Sequence, residues 1–224
     1  LRDESASVRA AAILALDRAG RRPDQSPLAA MIRSEDAEVR GNAAMVLGEL
    51  GNKSALPMLQ ASLGRGMRLS NPAAVRIVEL QVAEAQVKLG HDAAIDPIRA
   101  ALFAPPEQAE LVALAAQITG RVGDRTSVPF LRQLVAADGL DRRPSEIRLA
   151  AAAALGTMEQ SDGSLLAEVT AFVSDADPAR RAQAAVTIGK LRDRRGLEHV
   201  GRLLSDPDPL VQVAAAGAVL RLTD

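Results

Sequence analysis

The sequence predicts an all-α chain, a solenoid of stacked helix pairs, on two observations. The first is a short pattern that recurs along the whole chain. With Arg40 as the reference, the equivalent positions are Arg9, Arg40, Glu79, Val112, Arg148, Arg181 and Gln212, at spacings of 31, 39, 33, 36, 33 and 31 residues. A unit of that size cannot bury its apolar side alone, so a repeat at this period implies stacking of neighbours into one continuous core. The second is helical periodicity inside each copy. In the second copy Val39, Ala43, Val46, Leu47 and Leu50 fall on one helical face.

Each element is legible in turn. The pattern itself is the second helix of each unit, called B here. Ser174-Asp175-Ala176-Asp177-Pro178 and Ser205-Asp206-Pro207-Asp208-Pro209 place Asp177 and Asp208 as N-caps. The prolines after them stand at the first helical position, where no backbone N–H is needed. Asp36 and Asn71-Pro72 repeat this device, and Gly20, Gly51, Gly90 and Gly123 stand where the B helices end. Between the B helices lie shorter apolar segments, the A helices: 28–32, 56–63, 95–103, 128–135, 165–173 and 197–204. Pro27, Pro57, Pro97 and Pro129 mark their starts. Small residues three and four positions after the reference, such as Ala43-Ala44, Ala151-Ala152 and Ala184-Ala185, let neighbouring helices approach closely. The expectation is one repeat domain over 1–224 of about six and a half repeats. The chain opens with an unpaired B helix at Leu1, so a preceding segment is expected as well.

Composition bounds the function. The formal net charge of −1 gives no general attraction to nucleic acid or anionic membranes. No apolar run is long enough to span a bilayer. Phe103, Phe130 and Phe172 are the aromatic residues, so base stacking has little to work with. Zero cysteines exclude disulfides and thiolate chemistry and fit a cytoplasmic or a periplasmic setting equally well.

The pattern Asp-x-x-Val-Arg-x-x-Ala-Ala-x-x-Leu-Gly-x-Leu-Gly followed by Ala-x-Pro-x-Leu, carried nearly whole by residues 36–63, resembles the HEAT-repeat family. It is most similar to the short bacterial branch named after phycobilin lyase subunits. The resemblance implies a right-handed superhelix with the B helices on its concave side. It says less about activity, because the family includes scaffolds, lyase subunits, a metal-dependent hydroxylase and DNA glycosylases. Glu79, Val112 and Gln212 depart from the family arginine, so a ladder of arginines with aspartates of neighbouring turns is broken there. The hydroxylase branch holds iron through repeated His-Glu pairs. Here His91 precedes Asp92 and His199 follows Glu198, and no His-Glu pair forms.

Three features are candidates for partner binding. Nine residues after the reference stand Arg18, Glu49, Lys88, Arg121, Thr157, Lys190 and Arg221, a largely cationic column in the last turn of the B helices. Cations there also stabilise the helix dipole. One and five residues after the reference come Leu14, Met45, Leu80, Leu149, Val186 and Val213, interleaved with Glu84 and Gln117, an apolar strip suited to a peptide unless repeat packing buries it. The long spacings come from insertions at 64–72, 104–107 and 138–145, with Arg65, Arg68, Arg142 and Arg143 making a basic loop edge. No nucleophile elbow, phosphate loop or metal-ligand spacing is present. The reading is a non-catalytic protein–protein interaction scaffold with no cofactor and no metal, presenting a helix-lined concave face and a basic loop edge to a protein partner. The alternative is a subunit of a lyase-type enzyme that holds a substrate or partner.

Overall fold

Side-chain caps open five of the B helices among the described residues. The computed structural model describes residues 3–64, 71–136 and 143–224. Ser5 caps α1 (Ala6–Arg18), Asp36 caps α3 (Ala37–Leu50) and Asn71 caps α5 (Pro72–Lys88). Asp177 caps α11 (Pro178–Leu191) and Asp208 caps α13 (Pro209–Thr223), with Ala179 N–H donating at 2.9 Å and Leu210 N–H at 2.8 Å. Pro72, Pro178 and Pro209 each take the first helical position. The remaining B helices, α7 (Ala109–Val122) and α9 (Ser145–Thr157), start without a side-chain cap, each after one of the insertions. The A helices are α2 (Pro27–Met31), α4 (Leu56–Ser62), α6 (Ile95–Ala101), α8 (Val128–Val135), α10 (Gly163–Thr170) and α12 (Leu197–Leu203). No strand occurs among the described residues, and no helix there is long and apolar enough to cross a membrane.

The chain divides into two compact units, Leu1–Ala100 and Ala101–Asp224. In the first, α1 packs on α3 and α3 on α5, with α2 and α4 against the B helices that follow them. Ile13, Leu28, Ile32, Val46, Leu59 and Val82 form its core. In the second, α7, α9, α11 and α13 pack in sequence, with α8, α10 and α12 laid against α9, α11 and α13. Ile118, Leu131, Ile147, Leu155, Ile188 and Val200 are buried there. Stacked helix pairs of this kind are the all-α solenoid the repeat predicts.

Neighbouring B helices approach backbone to backbone at one recurring register. The alanine pairs of α3, α7, α9 and α11 are fully buried, but the backbones meet at glycines eight residues after the reference. A Cβ on Gly48 would lie 2.9 Å from Ala85 Cα, on Gly120 2.8 Å from Ala154 Cα, and on Gly189 2.8 Å from Ala218 Cα. Only a hydrogen fits at these crossings.

The reference arginines tie one turn to the next. Arg40, 2% exposed, donates to the carbonyl oxygens of Ser34 (2.8 Å) and Ser62 (3.2 Å), and desolvation lowers its pKa. Arg148 donates to Val135 O (3.2 Å) and Glu168 (2.5 Å) and lies over the Phe172 ring. Arg181 holds Asp206 through two bonds of 2.8 Å and also the carbonyl of Asp175. An arginine–aspartate ladder thus forms at Arg181, while Arg40 uses carbonyls instead. Gln212, lacking the charge, keeps part of the link by donating to Asp206 O at 2.7 Å.

Candidate functional site

The column nine residues after the reference takes opposite forms in the two units. In the first unit Glu49 stands between the two cations. Arg18 Nη2 lies 2.8 Å from Glu49 Oε2 and Lys88 Nζ 2.6 Å from Glu49 Oε1. Lys88 also reaches Glu84 Oε1 at 2.8 Å, one helical turn earlier. Burial pulls the Lys88 ammonium down, but its hydrogen bonds to Glu49 and Glu84 outweigh this and hold its pKa above the ordinary lysine value. Glu49 is held low, first by Lys88 and then by Arg18. Arg18 and Lys88 are therefore compensated inside the fold.

In the second unit the column runs Arg121, Thr157, Lys190, Arg221. The Thr157 hydroxyl donates to Ala153 O at 2.8 Å and supplies no charge. Lys190 is half-buried. Its pKa is lowered, first by desolvation and then by the positive charges of Arg121 and Arg221. Among the described residues no carboxylate pairs with it. Arg121, Thr157 and Lys190 line one pocket of about 230 Å³ together with Gln117 and Gln183.

The apolar strip is divided by packing. Leu80 and Leu149 are buried in the repeat stack. Met45 (45% exposed) and Val213 (71%) remain open, and Leu14 and Val186 are half-covered. Glu84 is buried as the partner of Lys88, and Gln117 is exposed.

Of the loop-edge residues, Arg65, Arg68 and Arg142 lie outside the described residues. Arg143 donates to Ala104 O at 3.4 Å, which ties two of the insertions together within the second unit. Beside Ala104, Phe103 meets Phe130 edge-to-face at 4.8 Å between ring centroids, and both remain exposed, at 58% and 38%. The sequence limits the three phenylalanines as stacking groups and by itself gives Phe103 and Phe130 no binding role. Their signal is position, since Phe103 directly precedes an insertion and Phe130 stands in the first turn of the next A helix. Aromatic residues, Phe among them, are enriched at protein interfaces relative to the rest of the surface.

Catalytic groupings are sparse in what is described. Asp175 and Asp206 accept backbone N–H bonds from Asp177 and Asp208, at 2.9 Å each, and so belong to the turns. Among the described residues no group of three or more His, Asp or Glu converges as a metal site.

The model of HEAT repeats matches residues 1–68 and 135–220. Solved structures are similar as well, three of them as follows. The complex of CpcE and CpcF of phycocyanin lyase from Nostoc sp. PCC7120 is 19% identical, with 100% of this chain and 89% of that chain covered and a TM-score of 0.59. An engineered protein is 17% identical, with 90% and 97% covered and a TM-score of 0.48. Human deoxyhypusine hydroxylase in complex with glycerol is 16% identical, with 99% and 81% covered and a TM-score of 0.48. No curated protein matches the sequence. The repeat pattern, the stacked helix pairs and the family match over most of the length agree: this chain belongs to the HEAT-repeat family.

Proposed function

We propose that the chain is a non-catalytic protein–protein interaction scaffold that docks its partner on the B-helix face of the second unit and on the basic loop edge. The observation that carries this reading is the contrast between Lys88 and Lys190. They occupy the same register, yet Lys88 is compensated by Glu49 and Glu84, whereas Lys190 is half-buried and its pKa is lowered first by desolvation and then by the positive charges of Arg121 and Arg221. An uncompensated, partly desolvated cation is costly to the fold and useful to a complex. Arg143 and the exposed Phe103–Phe130 pair support a second contact at the loop edge. Stacked repeats suit this role because their surface is preformed and little ordering is spent on binding.

A second reading is a subunit of a lyase-type enzyme that holds a substrate or partner protein. It draws on the match of the whole chain to the fold of a two-chain lyase complex. Crosslinking and affinity capture with the wild-type chain, Lys190→Glu, and the double variant Arg142→Glu/Arg143→Glu test the proposal. A protein partner lost in one variant and retained in the other supports scaffolding and assigns the surface. Retention of that partner by both variants contradicts the proposed surface. An absorbance change on adding a bilin, seen only with a second subunit, favours the lyase-type reading.

A further inference from the structure

The scaffold reading leaves the partner's chemistry open, and the first unit contains a template for it. There, Lys88 receives Glu49 at 2.6 Å from a neighbouring B helix. In the second unit the matching lysine has the cavity but, among the described residues, no carboxylate. The Lys190 pocket is walled by Ala150, Ala153, Ala154 and Val186, which suit aliphatic carbons. Arg121 shares the lining, and the carboxamides of Gln117 and Gln183 there offer N–H donors to an anionic oxygen. The pocket sits near the C-terminal ends of α7, α9 and α11, where helix carbonyls disfavour a dianion. One oxyanion on a short aliphatic stem matches such a cavity better than a phosphate does.

The basic surface continues past the pocket. Arg221, whose charge acts on Lys190, lines a second opening of about 450 Å³ with Arg192, Arg194 and Asp224. Arg192 has φ of +53°, and it stands where the first four B-helix ends carry glycine. A side chain in that backbone setting is strained, and strain of this kind gathers at binding sites.

We infer that the Lys190 pocket receives a glutamate side chain from an acidic segment of the partner protein, with Arg192, Arg194 and Arg221 taking further carboxylates of the same segment. This rests on the scaffold reading above. The association is electrostatically steered and weakens with salt.

The test is fluorescence anisotropy of a labelled deca-glutamate peptide on the full chain, with Lys190→Met and, as a charge-matched control on α12, Arg202→Gln. Lys190→Met keeps the stem, and a thermal melt shows that it is folded. The expected result is saturable binding weakened about tenfold or more by Lys190→Met and little changed by Arg202→Gln. Equal weakening by both variants, or no binding to wild type, overturns the inference. Tighter, Lys190-dependent binding of a single-stranded DNA ten-mer also overturns it, because phosphate is then the ligand. Partner capture that survives Lys190→Met overturns the pocket and leaves scaffolding standing. Lys190-dependent peptide binding with no partner captured supports the pocket and contradicts scaffolding.

Discussion

A Cβ placed on Gly156 would lie 2.7 Å from the carbonyl oxygen of Lys190. The backbone of α11 therefore rests directly on α9 at a residue of the cationic column, and the lysine side chain leaves from a fixed point. Gly156→Ala forces these helices apart and is expected to destabilise the chain by roughly 1–3 kcal/mol. Gly201 provides the contrast, since nothing lies within 4 Å of a Cβ there. Gly201→Ala, inside α12, is expected to stabilise by about 0.5–1 kcal/mol. Urea unfolding of the two variants measures both effects.

The ends of the B helices give a second prediction. Gly20, Gly51, Gly90 and Gly123 hold φ between +70° and +92°, and the equivalent residues in the next two copies are Glu159 (φ +60°) and Arg192 (φ +53°). An L residue in the left-handed region costs about 1–2 kcal/mol relative to glycine. Glu159→Gly and Arg192→Gly are each expected to raise stability by about 1 kcal/mol, partly offset by the greater freedom of glycine in the unfolded chain. Arg192→Gly is also expected to weaken deca-glutamate binding, whereas Glu159→Gly is not. Unfolding midpoints and peptide titrations read these separately.

Acid sensitivity follows from Asp162. Its carboxyl is held down to about 2, first by the Ser164 hydroxyl and then by Arg132. A carboxylate with a folded pKa below its unfolded value of about 3.9 adds stability above that value. The contribution is lost as the pH falls toward about 2. Asp162 also caps α10, with Ser164 N–H and Leu165 N–H donating to it. Asparagine caps about as well, so Asp162→Asn is expected to keep the helix start and flatten the dependence of stability on pH between about 4 and 2. Urea midpoints across that range check it.

What the sequence made legible is what local rules decide. Asp177 and Asp208 cap helices, Pro178 and Pro209 follow them, and Gly51 and Gly123 adopt left-handed backbone, all as the residue types demand. Among the described residues, seven B helices and six A helices stand where the repeat puts them. The column was legible as a register but not as chemistry. Glu49 reads from sequence as an interruption of a cationic row, yet it is the group that neutralises Arg18 and Lys88. Spacings of 31 and 39 residues do not say which long side chains meet. The apolar strip failed to divide for a similar reason. Leu149 and Val213 share a register, but α9 has a B helix packed on either side and α13 ends the described stack. Burial depends on that position in the stack and not on residue type. Gly48, Gly120, Gly156 and Gly189 were visible as a recurring letter, and only the backbone distances give it a reason.

The account rests on two lysines in one register doing opposite work, and replacing each by methionine tests it most directly. Lys88→Met leaves Glu84 buried without its ammonium and is expected to destabilise by roughly 1–2 kcal/mol at neutral pH. The raised pKa of Lys88 means this contribution is present at neutral pH and lost as the pH rises through the folded value, above about 10.4. Lys190→Met removes a desolvated cation facing Arg121 and Arg221 and is expected to raise the melting temperature by about 1–3 °C. Its lowered pKa means the wild-type penalty is relieved as the pH rises toward the unfolded value of about 10.4, so the gap between Lys190→Met and wild type closes there. Thermal unfolding of both variants beside wild type at neutral pH is the measurement. Opposite signs, Lys88→Met lower and Lys190→Met higher, are the predicted result. Loss of stability in both variants contradicts the account, because Lys190 would then be a structural residue like Lys88 and not a cation held for a partner.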